Sequence, residues 1–323
     1  MDRITVDTPL RSIFSLPEFA AMQGQWIASA TDWFAGGKDD LSLRELNTQQ
    51  PTWSAGDMLF GVKRLREIAL RGEDYVFSLS PASPAKLIAL PADHPTADAV
   101  CLLLAGGGYG AVFTLGEALP VAARLNELGV NCYCLNYSTA TAKSMVHGLM
   151  PKPLEDVAAA VRWIRERHPG TPYLMGGFSA GGNLCALWGT EHLGARHYSL
   201  QQPKAMLLDY PLCSVKNIPK GPMHDMMMQG LFGTGYNQAN AELYDVPSHV
   251  DADYPPTWLI RAADDTTIPS KDPVALEEAL TRAGVAHDFR CVPTGGHGFG
   301  LGSGTAAAGW VAQALHWAAE IKK

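Results

Sequence analysis

Several features that mark particular classes of protein are missing from this sequence. No uninterrupted apolar run approaches the roughly 20 residues of a membrane-spanning helix, so we expect no membrane partner. Segment 1–7 has no apolar core of a signal peptide, which favours a cytoplasmic location. Internal repeats and low-complexity tracts are absent too, so we expect an ordinary globular protein.

Clusters of basic residues are also missing. Lys and Arg total 25 against 32 Asp and Glu, which gives a formal net charge of −7 at pH 7. Phosphate binding needs concentrated Lys and Arg, so we expect no nucleic-acid partner. With 47% hydrophobic and 18% charged residues, the 323-residue chain has the composition and length to bury a sizeable core.

Cysteine is scarce, with six residues in the chain. Most of them lie in apolar runs that predict buried strands or helices, so we expect reduced core thiols and no disulfide framework. Cys132 and Cys134 would face the same side of a strand, but no second Cys or His pair accompanies them for a metal site.

From about residue 97 the sequence alternates short apolar runs with segments of helical periodicity. This alternation predicts a mostly parallel sheet with right-handed crossovers, and the uniformly apolar strands indicate helices on both faces. The predicted strands are 99–104, 130–135, 173–175, 205–208, 257–260 and 286–292. The predicted helices are 117–128, 153–167, 182–190, 273–283 and 306–321.

Two regions depart from this alternation. Residues 1–72 are predicted to form an N-terminal extension that packs on the core through tryptophans, and residues 73–323 to form the α/β domain. Segments 75–78 and 86–90 are predicted to be antiparallel edge strands that lead into the sheet. An insertion at about residues 212–256, rich in Gly, Pro and Met, is long enough to cap a site. Its apolar side chains are candidates for a substrate pocket, and the alternative is that they pack the cap on the core.

A possible nucleophile lies in Gly177-Phe178-Ser179-Ala180-Gly181, directly after an apolar strand and before a helix. This is the setting of a nucleophile elbow, in which a tight turn lifts the serine hydroxyl above the sheet. The motif alone is equally consistent with a Gly-Ser turn between two core elements, because the chain has 32 glycines.

A serine nucleophile needs a base, and the base needs an orienting acid. His297 follows the last predicted strand between glycines that leave its imidazole accessible, whereas the rivals His224 and His249 fall in the insertion. Two aspartates follow the strand 257–260. Motif position alone leaves Asp264 and Asp265 open as the acid. We choose Asp265 for its position before Thr-Thr-Ile-Pro, a pattern that the family resemblance described below shares, and expect Asp264 to cap the turn or bond backbone amides.

The tetrahedral oxyanion of an acyl transfer also needs hydrogen-bond donors. The turn that begins at Gly106 follows an early strand, so we expect donors from Gly107 or Gly108 and from the Ala180 amide. A phosphate-cradling loop is the alternative, but the spacing of dinucleotide and phosphate-binding loops is absent. All these groups would meet at the carboxyl edge of one sheet, where α/β proteins bind ligands.

Over about residues 85–320 the chain resembles the α/β-hydrolase superfamily, in particular bacterial acetyl-esterase and acetylxylan-esterase-like proteins, with hormone-sensitive-lipase and feruloyl-esterase-like relatives. The resemblance implies the α/β-hydrolase fold, a triad of Ser179, Asp265 and His297, and an oxyanion hole at the glycine turn. Ala105 and Ser138 depart from the residues common in these groups. The sequence segments that carry the resemblance are Gly106 to Tyr109, Glu117, Val121-Ala122, Leu135 to Tyr137, Pro153 to Asp156, Gly177 to Leu184, Pro255-Pro256, Asp265 to Pro269 and Gly296 to Gly298.

We therefore expect a serine esterase that cleaves short-acyl esters, acetyl esters above all, through an acyl-enzyme and without metal or organic cofactor. The expected partner is a small-molecule ester, and the resemblance points to acetylated sugars. A prolyl-oligopeptidase-like peptidase, a non-catalytic binding protein on the same fold, and acyl transfer to another acceptor are the alternatives. The natural substrate, the acyl-chain preference and the oligomeric state, a homodimer included, stay open.

Overall fold

The computed structural model describes residues 4–321, apart from the side chain of Met223. Within this range the strands are β1 (Ala28–Ser29), β2 (Val76–Ser78), β3 (Lys86–Leu90), β4 (Val100–Leu104), β5 (Ala111–Val112), β6 (Cys132–Asn136), β7 (Tyr173–Phe178), β8 (Ala205–Asp209), β9 (Thr257–Ala262) and β10 (His287–Val292). The helices of the described chain are α1 (Leu10–Phe14), α2 (Leu43–Gln49), α3 (Ala55–Ala69), α4 (Ala118–Glu127), α5 (Ser144–His147), α6 (Lys152–Arg167), α7 (Ser179–Gly189), α8 (Pro222–Phe232), α9 (Gln238–Leu243), α10 (Lys271–Ala283) and α11 (Trp310–Glu320).

The central sheet has the order β10-β9-β8-β7-β4-β6-β3-β2. The strands from β10 to β6 pair in parallel, whereas β3 and β2 are antiparallel. Helices cover both faces: α4 contacts α11, and α6 contacts α7 on the other side. The predicted α/β-hydrolase fold, with a mostly parallel sheet and antiparallel strands leading into it, is therefore confirmed.

Two helices begin three or more residues away from the start that the sequence predicts. Helix α7 begins at Ser179, three residues early. The chain turns from β7 into the helix at Ser179 alone, which has a φ angle of +51°. Helix α11 begins at Trp310, four residues late, because Gly302, Gly304 and Gly309 adopt positive φ angles and form turns before it.

The N-terminal residues pack closely on the α/β core. Helix α3 contacts α4 so tightly that a Cβ on Gly61 would lie 2.9 Å from the backbone nitrogen of Pro120. Strand β1 pairs with β5, and the Leu115 amide donates to the Trp26 carbonyl oxygen at 2.8 Å. Trp26 and Trp53 are buried in the main core. The extension and the sheet therefore share one hydrophobic core.

The insertion consists of α8, α9 and short 3₁₀ turns, and it packs on α5 and the chain that follows. The Leu149 amide donates to the Leu231 carbonyl oxygen at 2.8 Å. Met228 and Leu231 are buried against the core, whereas Met226 is 59% exposed. Two of the apolar side chains of the insertion thus pack the fold, and their part in a substrate pocket stays a prediction.

The cysteine thiols are all free. Cys291 is exposed, and the other five are buried in strands, in α7 or four residues after β8. Among residues 4–321, none of the helices combines the length and the apolar character needed to cross a bilayer.

Candidate active site

The carboxyl ends of five parallel strands bring the predicted site residues to one edge of the sheet. In a parallel sheet these ends share an edge, so the loops that follow them are neighbours. The predicted residues lie in Gly106–Gly108 after β4, at Ser179 after β7, at Asp265 after β9 and at His297 after β10, and Tyr210, which the sequence did not single out, follows β8.

Ser179 occupies a strained turn between β7 and α7. Its φ angle is +51°, in the left-handed region that a serine rarely adopts. A Cβ on Gly177 would lie 2.6 Å from the Gly181 carbonyl oxygen, and one on Gly181 would lie 2.1 Å from the Leu104 carbonyl oxygen. Both flanking positions therefore accept only glycine, and the turn has the geometry of a nucleophile elbow.

His297 bridges Ser179 and Asp265. Its Nε2 atom lies 2.8 Å from the Ser179 hydroxyl oxygen, and its Nδ1 atom lies 2.9 Å from an Asp265 carboxylate oxygen. The imidazole is 16% exposed and the Asp265 side chain 1% exposed. The structure thus brings the three predicted side chains into one chain of hydrogen bonds with an accessible face at the imidazole.

The two adjacent aspartates have different partners. Asp265 accepts from His297 with one oxygen and from the amides of Thr267 (2.8 Å) and Ile268 (3.0 Å) with the other. Asp264 accepts from the Gly296 amide at 2.8 Å. Burial opposes ionisation of Asp265, but the hydrogen bond and charge of His297 and the two amides outweigh it, so the pKa of this carboxyl lies below its usual value.

The glycine loop after β4 lies directly beside Ser179. A Cβ on Gly106 would be 2.8 Å from the Ser179 Cβ, and one on Gly107, where φ is +129°, would be 2.2 Å from the Ala111 carbonyl oxygen. Within residues 4–321, the amides of Gly107, Gly108 and Ala180 have no hydrogen-bond acceptor. The three amides predicted to hold an oxyanion are therefore free to donate to a bound group.

A buried carboxylate that the sequence did not single out for the site lies beneath this loop. Glu117, the residue before α4, accepts from the Gly106 amide at 2.5 Å and from the Tyr210 hydroxyl at 3.2 Å. In the sequence analysis this residue is only the start of a predicted helix and one of the residues that carry the family resemblance. The available signal was that Glu117 is the one charged residue in the sequence segment 113–123.

The rival histidines are engaged elsewhere. His224 contacts the adjacent Asp225, and His249 contacts the Glu242 carbonyl oxygen. Neither is hydrogen-bonded to Ser179, so His297 is the imidazole that the fold brings to the serine.

Comparison with known proteins gives relatives at modest identity. Endo-1,4-beta-xylanase B of Butyrivibrio fibrisolvens is 22% identical over 260 residues, which covers 77% of this chain and 40% of that protein. Acetylxylan esterase of Xylanibacter ruminicola is 26% identical over 253 residues, with 73% and 48% covered. The chain thus spans about half of these relatives or less.

A solved structure gives a similar result. The acetyl ester-xyloside bifunctional hydrolase from Caldicellulosiruptor lactoaceticus superposes with a TM-score of 0.60 at 25% identity, covering 74% of this chain and 89% of that one. The family described as alpha/beta hydrolase fold matches residues 102–301, the segment from β4 to just beyond His297. Because this match extends over more than half of the sequence, the chain belongs to the alpha/beta hydrolase fold family.

Proposed function

We propose that this protein is a serine ester hydrolase in which Ser179, His297 and Asp265 form the catalytic triad. The observation that carries the proposal is the pair of contacts made by the His297 imidazole, 2.8 Å to the serine oxygen and 2.9 Å to the aspartate. A serine hydroxyl becomes nucleophilic when a neutral imidazole accepts its proton, and the carboxylate orients that imidazole.

The proposed reaction has two halves. His297 Nε2 accepts the Ser179 proton while the oxygen attacks the ester carbonyl, and the same imidazole then protonates the leaving alcohol, which leaves an acyl-serine. In the second half His297 accepts a proton from water, the hydroxide oxygen attacks the acyl-serine, and the proton returns to Ser179 as the acid departs. Asp265 stabilises the imidazolium in both halves, consistent with its lowered pKa.

The free amides of Gly107, Gly108 and Ala180 are proposed to hold the tetrahedral oxyanion. Their lack of acceptors in the described chain and the position of the loop beside Ser179 support this role. Such donors act on charge that develops only in the transition state, and loss of one typically lowers kcat by about 100- to 1,000-fold.

For the substrate we propose esters with short acyl groups, acetyl esters of carbohydrates in particular. The support comes from the relatives, one of which is an acetylxylan esterase and another an acetyl ester-xyloside hydrolase. Initial rates on p-nitrophenyl acetate, butyrate and octanoate, together with acetate release from acetylated xylo-oligosaccharides, test it. We expect kcat/KM to fall with chain length, and a preference for octanoate would contradict an acetyl esterase.

The triad is tested with a fluorophosphonate probe, which forms a covalent bond with an activated serine. We expect the wild-type chain to be labelled, Ser179→Ala to be unlabelled, and Ser12→Ala, which removes an exposed hydroxyl in α1, to be labelled like the wild type. Absence of labelling in the wild type would overturn the enzymatic function. Labelling that survives Ser179→Ala would overturn the choice of nucleophile.

A further inference from the structure

Glu117 is a fully enclosed carboxylate that the proposed reaction does not use. Only 2% of the residue is exposed, and it lies between the glycine loop and strand β8. One of its oxygens accepts from the Gly106 amide at 2.5 Å, and the other accepts from the Tyr210 hydroxyl at 3.2 Å. Neither partner is a cation, so no ion pair offsets the loss of hydration.

The contacts of Tyr210 extend this network to the loop that carries the base. The Tyr210 hydroxyl, which donates to Glu117, accepts from the Gly300 amide at 3.2 Å. The Tyr210 ring lies edge-on to the His297 imidazole, with centroids 5.1 Å apart and an interplanar angle of 63°. One carboxylate thus joins the glycine loop on one side to the histidine loop on the other.

The Gly106 peptide is the point at which this network meets the nucleophile. Its amide is held by Glu117, and its carbonyl oxygen accepts from the Phe113 amide at 2.9 Å. That carbonyl and the free Gly107 amide belong to one planar peptide unit, so the Phe113 bond orients this unit directly. The Glu117 bond holds the peptide unit on the other side of the Gly106 Cα, and the two bonds together oppose rotation about the Gly106 backbone.

The enclosure of Glu117 has a measurable cost. Burial raises its pKa to about 7, although the Gly106 amide, the charge of His297 and the Tyr210 hydroxyl all favour the ionised form. An apolar side chain at this position would fill the space without that cost. The presence of a carboxylate here is therefore better explained by its hydrogen bonds to Gly106 and Tyr210 than by a contribution to stability.

We propose that Glu117 is a positioning residue that fixes the oxyanion loop and, through Tyr210, the His297 loop against Ser179. The inference rests on the proposed esterase function, because it concerns the geometry of that reaction. Glu117 touches neither the serine oxygen nor the substrate carbonyl in this scheme, and it acts through Gly106 and Tyr210.

The experiment compares Glu117→Ala, Glu117→Gln and Tyr210→Phe with a matched control, Asp209→Asn. Asp209 is another fully buried carboxylate at the same sheet edge, but its two oxygens have no hydrogen-bond partner among the described residues. Replacing it alters a buried carboxyl group without releasing a loop. Each variant is measured for kcat and KM on p-nitrophenyl acetate, for inhibition by phenylboronic acid, which forms a tetrahedral adduct with the serine, and for its melting temperature.

We expect Glu117→Ala to lower kcat by about 100-fold with KM changed less than about threefold, since a misplaced oxyanion donor affects the transition state alone. Inhibition by phenylboronic acid should weaken together with kcat. Tyr210→Phe should give a smaller loss of the same kind, because the Gly106 bond survives. Asp209→Asn should stay within about threefold of the wild type in kcat.

Glu117→Gln provides the pH test, because its amide oxygen still accepts from Gly106 while the side chain no longer titrates. The titratable groups that face Glu117 are Tyr137, Asp209, Tyr210 and His297, and the variant retains all of them. We expect the ratio of wild-type to variant kcat to approach 1 below pH 6, where Glu117 is protonated, and to rise through pH 7. For Asp209→Asn the ratio should be flat between pH 6 and 8.

Each outcome decides the matter. A wild-type chain that neither cleaves p-nitrophenyl acetate nor reacts with fluorophosphonate defeats the proposed function, and this inference with it. An active wild type with kcat unchanged in Glu117→Ala, or lowered equally in Asp209→Asn, defeats the inference alone. If Glu117→Ala does not fold, Tyr210→Phe decides, and an unchanged kcat in that variant contradicts the positioning role.

Discussion

The Ser179 hydroxyl oxygen and His297 Nε2 lie 2.8 Å apart although 118 residues separate them in the chain. The sheet explains this proximity: β7 leads to the serine, β10 leads to the histidine, and both run in the same direction with β8 and β9 between them. Asp265, which follows β9, completes the connection. The contact therefore depends on the order of the strands and on turns only a few residues long.

Replacing Asp265 by asparagine should lower kcat on p-nitrophenyl acetate by about 1,000- to 10,000-fold, because the amide no longer stabilises the imidazolium or selects its tautomer. Asp264→Asn is the matched control, since Asp264 contacts the Gly296 amide and not the imidazole. We expect it to retain kcat within about tenfold. A larger loss in Asp264→Asn than in Asp265→Asn would reverse the assignment of the acid.

Alanine at Gly181 should lower the free energy of unfolding by about 3 kcal/mol, or prevent folding, because the new Cβ would lie 2.1 Å from the Leu104 carbonyl oxygen. Gly235→Ala is the control, since a Cβ there meets nothing within 4 Å and should change stability by less than about 0.5 kcal/mol. Urea unfolding of both variants measures the difference. Equal midpoints would show that the elbow tolerates a side chain.

Asp272 should make stability fall as the pH rises from about 4 to about 6. This buried carboxyl accepts from the Cys213 and Ser214 amides, yet burial outweighs them and raises its pKa to about 6. Because the folded state binds the proton more tightly than the unfolded chain, this contribution is fully present below the unfolded pKa of 3.8 and is lost through pH 6.

The expected change is about 2–3 kcal/mol, from a shift of about two pKa units. Urea unfolding of the wild type and of Asp272→Asn at pH 4, 5, 6 and 7 measures it. The difference in free energy of unfolding, wild type minus variant, should decrease by that amount over the series. A constant difference would show that Asp272 titrates near its ordinary value.

Removing the Trp53 side chain should destabilise the whole protein by about 3–5 kcal/mol. The indole is buried, and a Cβ on Gly116 would lie 2.5 Å from it, while its ring packs edge-on against Phe113 with centroids 5.1 Å apart. Trp33→Ala, at a half-buried indole, is the control and should cost less. We expect the variant to unfold in one transition at a lower temperature than the wild type. A separate transition at still lower temperature would show that the N-terminal residues unfold independently.

The parts of the structure that the sequence predicted are those with local signals. The parallel strands β4, β6, β7, β8 and β9 are short, fully buried runs of mainly apolar residues, so most of the sheet was predictable from neighbouring residues. Asp265 and His297 could be singled out as candidates because Asp265 lies three residues after β9 and His297 five residues after β10.

The remaining features depend on contacts between distant segments. β1 and β5 are two residues each, too short for any periodicity, and they exist because they pair with one another. The bonds of Glu117 to Gly106 and Tyr210 likewise depend on how three loops meet. No local sequence pattern encodes contacts between distant segments, so the hydrogen bonds of Glu117 could be found only in the three-dimensional structure.

The left-handed backbone at Ser179 has a counterpart at Tyr109 and Tyr210, with φ angles of +51°, +60° and +38°, all at the same edge of the sheet. A side chain in this region costs roughly 1–2 kcal/mol, which glycine would avoid. We therefore expect Ser179→Gly to lose the proposed esterase activity and to unfold at a higher temperature than the wild-type chain. At position 179, thermal stability and the proposed reaction therefore place opposite demands on the side chain.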